Sequence, residues 1–286
     1  MAGSCIINGV DIANLGMFIL RGGDNDLIAF PERKEPKSND WFEQDGLDVD
    51  LSEIYFNAKK VTIKCYLNAA TTHDFLTNLN AFKALITSSE NKSIYLREFN
   101  KTFLLRYVSC QQFTFKGGLI KTPPKSAEID VQFSDDTPLL MFDRTITAPI
   151  STKIMPTYVY LNDIELKNFG VIVKNIYDSA LQFSDSKEGI IITQERNSGQ
   201  VVYPSSKLKS KKITIECAML ADTRDEFYTN YYALFNQLTI LQALQLRLAD
   251  GTTRNCYYSS MTNFSKIKPF SSGIHIQFTL NLVDIL

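Results

Sequence analysis

AKKVTIKCYLNAATTHDFLTNLNAFKALIT, residues 58–87, and SKKITIECAMLADTRDEFYTNYYALFNQLT, residues 210–239, are two versions of one stretch. They align without a gap, and Lys59, Lys60, Thr62, Ile63, Cys65, Ala69, Thr71, Phe75, Thr77, Asn78, Ala81 and Thr87 recur unchanged. Twelve identities in thirty positions far exceed the roughly two that average residue usage would give. A repeat of this kind is read before anything else: it makes the chain a duplicated module.

Each copy changes period midway. Val61, Ile63 and Cys65 alternate with Lys60, Thr62 and Lys64, as Ile213, Ile215 and Cys217 do with Lys212, Thr214 and Glu216. That is the period of a half-buried strand. Phe75, Leu79, Phe82 and Ile86 then fall at helical spacing, matched by Phe227, Tyr231, Leu234 and Leu238. These eight residues are the expected helix anchors, one apolar stripe per helix, with the rest of each helix in water. Thr71 with Asp74, and Thr223 with Glu226, have capping-box spacing, the Thr-Asp pair being the weaker version.

The repeat extends outward. Ile7-Asn8-Gly9-Val10-Asp11 and Asn14-Leu15-Gly16 open the first copy; Leu161-Asn162-Asp163-Ile164-Glu165 and Asn168-Phe169-Gly170 open the second. The Asn-Gly and Asn-Asp pairs suit tight turns, and Gly16 and Gly170 a bend. Long polar segments follow, 21–57 and 176–209, with little shared sequence. Connections of that length serve a function or form arms. Trp41-Phe42 and Tyr55-Phe56 lie in the first of them. They either cover their own core or anchor a neighbouring subunit, since aromatics are enriched in buried interface centres. After the helix, Ile94–Arg97 matches Leu244–Arg247. Loops with Pro123-Pro124 or Pro269 lead to a last alternating strand, in which Val131-Gln132-Phe133 matches Ile276-Gln277-Phe278. Asp135 to Pro156, with Pro138, Pro149 and Pro156, reads as a linker.

The expected fold is therefore mainly β: two tandem homologous split β-barrel or sandwich domains, residues 1–143 and 144–286, each with one inserted helix. At 286 residues the chain holds two cores comfortably. A net charge of −1 argues against general nucleic-acid binding, which needs a concentrated basic face. No secretory signal is visible in Met1–Gly9, and no segment approaches the ~20 apolar residues of a membrane helix. The five cysteines include no CxxC pair, and Cys65 and Cys217 lie on the apolar phase of their strands. Reduced, buried thiols of a cytoplasmic product are expected.

The chemistry-bearing residues form no constellation. His73 and His275 have no metal-ligand neighbours at the required spacing, and no nucleophile-elbow, zinc-protease or phosphate-loop motif occurs. Glu43, Asp45, Asp48 and Asp50 make an acidic loop without calcium-loop order. Neither catalytic residues, metal nor cofactor is expected. Lys59-Lys60 and Lys211-Lys212 open the repeated strand, either as a solvated edge that discourages pairing or as a subunit contact to acidic loops such as Asp45–Asp50.

The order of these features resembles the N-terminal barrel of the siphophage distal tail protein family and its relatives in tail tubes and baseplate hubs. The motifs are an Asn-Gly or Asn-Asp opening turn, a Gly-marked second strand and a long polar arm. Lys-Lys-(Val/Ile)-Thr-Ile-(Lys/Glu)-Cys, a helix, an Arg-bearing hairpin and a final strand ending near Phe133-Ser134-Asp135-Asp136-Thr137-Pro138 complete them. The resemblance covers each half separately. It implies a non-enzymatic structural protein of the virion tail, made in the bacterial host cytoplasm. Its partners would be other copies of itself in a closed ring, a hexamer or a trimer with pseudo-sixfold symmetry, and the tail tube and tip or hub proteins. DNA would only pass through the channel, and no membrane would be involved. The family usually follows its barrel with a different domain, whereas here the barrel recurs. The alternatives are a tail tube protein, or a host-glycan-binding module using aromatics such as Trp41, Tyr257 and Tyr258.

Overall fold

The computed structural model describes residues 5–88, 90–116, 125–151, 157–188, 190–194, 199–203, 207–268, 270 and 273–285. The loops carrying Pro123-Pro124, Pro156 and Pro269 lie outside them. In chain order the elements of the first repeat are β1 (Cys5–Ile7), β2 (Val10–Asp11), β3 (Met17–Ile19), α1 (Asn25–Ile28), β4 (Ser38–Asn39), β5 (Asp48–Val49), β6 (Lys59–Ala69), α2 (Thr72–Thr87), β7 (Lys92–Leu96), β8 (Lys101–Lys116) and β9 (Lys125–Asp135). Those of the second are β10 (Tyr160–Leu161), β11 (Ile164–Glu165), β12 (Val171–Asn175), α3 (Tyr177–Leu181), β13 (Ile190–Gln194), β14 (Gly199–Tyr203), β15 (Lys211–Ala221), α4 (Arg224–Leu238), β16 (Leu244–Arg247), β17 (Thr253–Lys268) and β18 (Ile274–Asp284).

The fold is mainly β and antiparallel. One seven-stranded sheet runs β2-β1-β7-β8-β9-β6-β3 and the other β11-β10-β16-β17-β18-β15-β12. Exchanging each strand for its counterpart converts one order into the other. The central ladder of the first sheet pairs β6 with β9 from Lys59 opposite Asp135 to Ala69 opposite Lys125. Strict alternation explains which face is inside: Val61, Ile63, Cys65 and Leu67 are buried, whereas Lys60 and Lys64 are exposed. Ile213, Ile215 and Cys217 do the same in β15.

The opening turns also match in detail. Asn8 and Asn162 adopt φ 47° and 48°, and their Oδ1 atoms accept from the Ser93 and Gln245 N–H groups at 2.8 and 2.9 Å. Ser93 thus corresponds to Gln245, which shifts the expected match of Ile94–Arg97 with Leu244–Arg247 by two residues. Gly16 and Gly170 have φ 65° and 71°, and a Cβ there would meet Asn68 O at 2.4 Å or Leu220 O at 2.5 Å. Both the positive φ and the close approach require glycine.

The compact units do not coincide with residues 1–143 and 144–286. The first comprises Met1–Pro31, Asn57–Asp143 and Phe264–Ile276; the second comprises Glu32–Phe56, Arg144–Asn263 and Gln277–Leu286. The segment expected as a linker is structured: Pro138–Met141 forms a short 3-10 helix, and Arg144–Ile150 packs in the second unit. In the first unit, α2 buries Phe75, Leu79, Phe82 and Ile86, with the Phe75 and Phe115 rings 5.2 Å apart. In the second, α4 buries Phe227, Tyr231, Leu234 and Leu238 but also Tyr228, Asn230, Tyr232, Ala233, Phe235 and Asn236. The single-stripe expectation therefore describes α2 and not α4. The cover on α4 comes from remote residues: Asn230 Oδ1 accepts from Ile150 N–H at 2.7 Å, Asn236 Nδ2 donates to Ile146 O at 2.7 Å, and Phe56 lies 5.7 Å from Phe235.

Candidate interaction surfaces

Among the described residues no group of three or more His, Cys, Asp or Glu has metal-site geometry. Cys5, Cys65, Cys217 and Cys256 are free and buried, and Cys110 is exposed. Burial pushes the Cys5 and Cys256 thiols up to about 12, which leaves them protonated and unreactive at neutral pH. His73 is exposed and His275 half-buried. No helix among these residues is long and apolar enough to cross a membrane.

The lysine pairs split. Lys60 and Lys212 are exposed. Lys59 is buried, and its Nζ donates to Leu27 O and Ala29 O, both at 2.7 Å. Lys211, half-buried, donates in the same way to Ala180 O and Gln182 O. Each therefore ties its repeated strand to the helical turn before the arm. Lys59 is not the surface residue that an edge or subunit contact needs, and β6 lies between β9 and β3. Burial lowers the Lys59 pKa to about 7, opposed by Asp135 and Asp26. A neutral amine still has two N–H donors for the two carbonyls. Lys211 is lowered too, by burial first and by Arg254 next.

Most of the first arm, Glu32–Phe56, belongs to the second unit. Trp41, Phe42 and Tyr55 are exposed, and Trp41 Nε1 donates to Asp48 Oδ2 at 3.3 Å. Phe56 is half-buried against Phe235. Tyr257 and Tyr258 are buried, with the Arg33 guanidinium 5.2 Å over the Tyr257 ring, so these two tyrosines offer a glycan no platform. The acidic loop meets lysines other than those expected. Lys187 pairs with Asp40 and donates to Trp41 O at 2.6 Å and Gly46 O at 2.9 Å. Lys207 lies 3.7 Å from Asp45, whose Oδ1 also accepts from Leu208 N–H at 2.8 Å. No pattern distinguishes Lys187 and Lys207 from the other lysines of a polar segment, so sequence reasoning missed them.

Two of the concavities among the described residues lie in the first unit. One, of about 430 Å³, is lined by Arg21, Asp24, Glu98 and Lys266 among others. Lys266 Nζ stands 2.7 Å from Asp24 Oδ1 and 2.8 Å from Glu98 Oε2, with the Phe99 ring beneath it at 4.6 Å. Burial raises the Asp24 pKa while Lys266 pulls it down. With the Phe270 ring 5.0 Å from Phe99, this cluster fastens residues 264–276 within the unit. The other concavity is a groove of about 290 Å³ between α2 and the sheet, lined by Leu79, Phe82, Lys83, Tyr107, Cys110 and Phe113 among others.

No family model matches the sequence, and no curated protein matches it. Among solved structures, that of the phage SPP1 Dit (gp 19.1) protein, described as a paradigm of the hub adsorption apparatus in phages infecting Gram-positive bacteria, aligns with 98% of this chain and 97% of its own. The two are 10% identical, with a TM-score of 0.35.

Proposed function

We propose that this protein is a structural component of a phage tail, and within the tail the distal or baseplate ring protein that joins the tube to the tip and surrounds the DNA channel. The observation that carries this proposal is the repeated sheet: one strand order occurs twice, each time with a capped helix at the same place. Two equivalent modules in one chain suit the tiling of a circle, because a trimer of double modules presents six near-identical positions. The motif order of both halves resembles distal tail proteins, and the side chains that stand out in the structure make packing contacts. A net charge of −1 suits a channel that lets DNA pass, since a strongly basic lumen would hold it through counterion release.

Negative-stain imaging with native mass measurement of the purified chain tests this. Closed rings with a central hole are expected, at three or six copies. Long cylinders would turn the assignment to a tail tube protein, and a compact monomer at every concentration would overturn it.

A further inference from the structure

The α2 groove has an occupied counterpart. Lys83 and Thr87, which line it, stand where the repeat has Phe235 and Thr239. There the Phe56 ring lies 5.7 Å from Phe235, the Arg144 guanidinium lies 5.5 Å over the same ring, and Arg144 Nη1 donates to Thr239 Oγ1 at 2.6 Å. Phe56 faces Arg33 across a short ladder in which Lys34 N–H donates to Tyr55 O at 2.8 Å. The second arm has the same ladder: Ser186 faces Leu208, and Lys187 N–H donates to Lys207 O at 2.8 Å. Leu208 is thus to the second repeat what Phe56 is to the first, yet it is 40% exposed. The chain holds one filled socket, one empty socket and one plug whose side chain is exposed, although its backbone pairs with Asp45 and Gly46.

We propose that the α2 groove takes the Ser186–Leu208 ladder of a second copy of this chain, with Leu208 against Leu79, Phe82 and the aliphatic stem of Lys83. The patch carries both signs: exposed Asp185 and Glu188 flank the ladder and would face the Lys83 ammonium in this docking, while half-buried Lys207, paired with Asp45, and Lys209 sit beside Leu208. Plug and socket are different surfaces, so the contact is head-to-tail, the kind that closes into a ring when its rotation allows. This rests on the assembly proposed above and adds which surfaces meet.

The test uses full-length chains in a Cys110→Ser background, which removes the exposed thiol. One chain carries Lys83→Cys and the other Leu208→Cys; both native side chains are exposed, so both variants fold. With a short bis-maleimide, a covalent dimer is expected in the mixture and in neither chain alone, and the double variant should give a ladder of covalent oligomers. Leu208→Arg, which sets a second cation against Lys83, should weaken self-association at least tenfold without moving the Tm of the dissociated chain at low concentration. Oligomers in native mass spectra with no mixture-specific cross-link would overturn this docking while leaving the assembly itself standing. A chain that remains monomeric throughout would overturn both.

Discussion

Helices α2 and α4 share a cap and an anchoring stripe, and at 16 and 15 residues differ in length by one, but they differ more in how much of them is covered. The clearest contrast is at positions where the residue is the same. Ala81 is exposed and Ala233 buried; Thr87 is exposed and Thr239 buried; Asn78 is half-buried and Asn230 fully so. Residue type therefore does not set burial at these positions. Remote segments do, since Phe56 and Arg144–Ile150 lie against α4. Where the residues differ, they follow that cover: Leu76, Asn80 and Lys83 in α2 become Tyr228, Tyr232 and Phe235 in α4. The two helices match in the half that faces the sheet and differ in the other half.

The sharpest way to break this comparison is to place the same charge at the identical alanines. Ala233→Glu buries an unpaired carboxylate and should destabilise the protein by at least ~4 kcal/mol. Ala81→Glu on the bare face should stay within about 0.5 kcal/mol. Chemical denaturation of both at low protein concentration checks this, and equal losses would refute the difference in cover. Next in size, Phe235→Ala should cost roughly 3–4 kcal/mol against less than about 0.5 for Lys83→Ala. By contrast, Phe75→Ala and Phe227→Ala should each cost roughly 3–5 kcal/mol, because both anchors are buried against their sheets.

The buried lysines extend the comparison to pH. Lys59 has a folded pKa of about 7, below its unfolded value of 10.5. Between those values the unfolded chain holds a proton that the folded chain does not, so stability rises with pH across that window. Relative to Lys59→Met, the native protein should gain about 2 kcal/mol between pH 7.5 and 9. The same comparison for Lys211→Met should show a rise of the same sign but smaller, since Lys211 is less deeply buried. Urea midpoints measured across that range decide it, and a flat or falling Lys59 difference would mean that the amine stays charged.

These outcomes bear on what a single sequence can convey. The repeated strands, the two long helices, their caps and the eight anchors were legible because each rests on local periodicity or on spacing within one turn, whereas the short helices α1 and α3 inside the polar arms were not. The positive-φ turns at Asn8 and Asn162 were legible for the same reason. The hairpin match was misread by two residues because alternation recurs every second position and fixes phase, not register. The interior position of Lys59 was hidden because its partners, Leu27 O and Ala29 O, are backbone carbonyls that leave no side-chain signature. The second face of α4 and the α2 groove depend on segments dozens of residues away, and no local pattern encodes those. Tyr228, Tyr232 and Phe235 were the available hint: aromatics off the stripe on a helix that would otherwise face water.

The smallest effect concerns the caps, where the two repeats should agree and then part. Thr71 Oγ1 and Thr223 Oγ1 each accept from the N–H three residues on, at 3.0 and 3.1 Å. Thr71→Ala and Thr223→Ala should therefore each lose about 1 kcal/mol. The third residue of each helix differs in reach. Glu226 extends back to accept from the Asp222 N–H at 2.8 Å, satisfying a second backbone donor at the helix start. Asp74 is one methylene shorter, and its carboxylate accepts instead from the Thr71 hydroxyl at 2.8 Å. Truncating Glu226 removes a bond to a backbone N–H, whereas truncating Asp74 removes only a bond from a hydroxyl. Glu226→Ala should then cost several tenths of a kcal/mol more than Asp74→Ala. Equal losses in thermal melts would mean that the longer side chain adds nothing beyond its charge at the helix N-terminus.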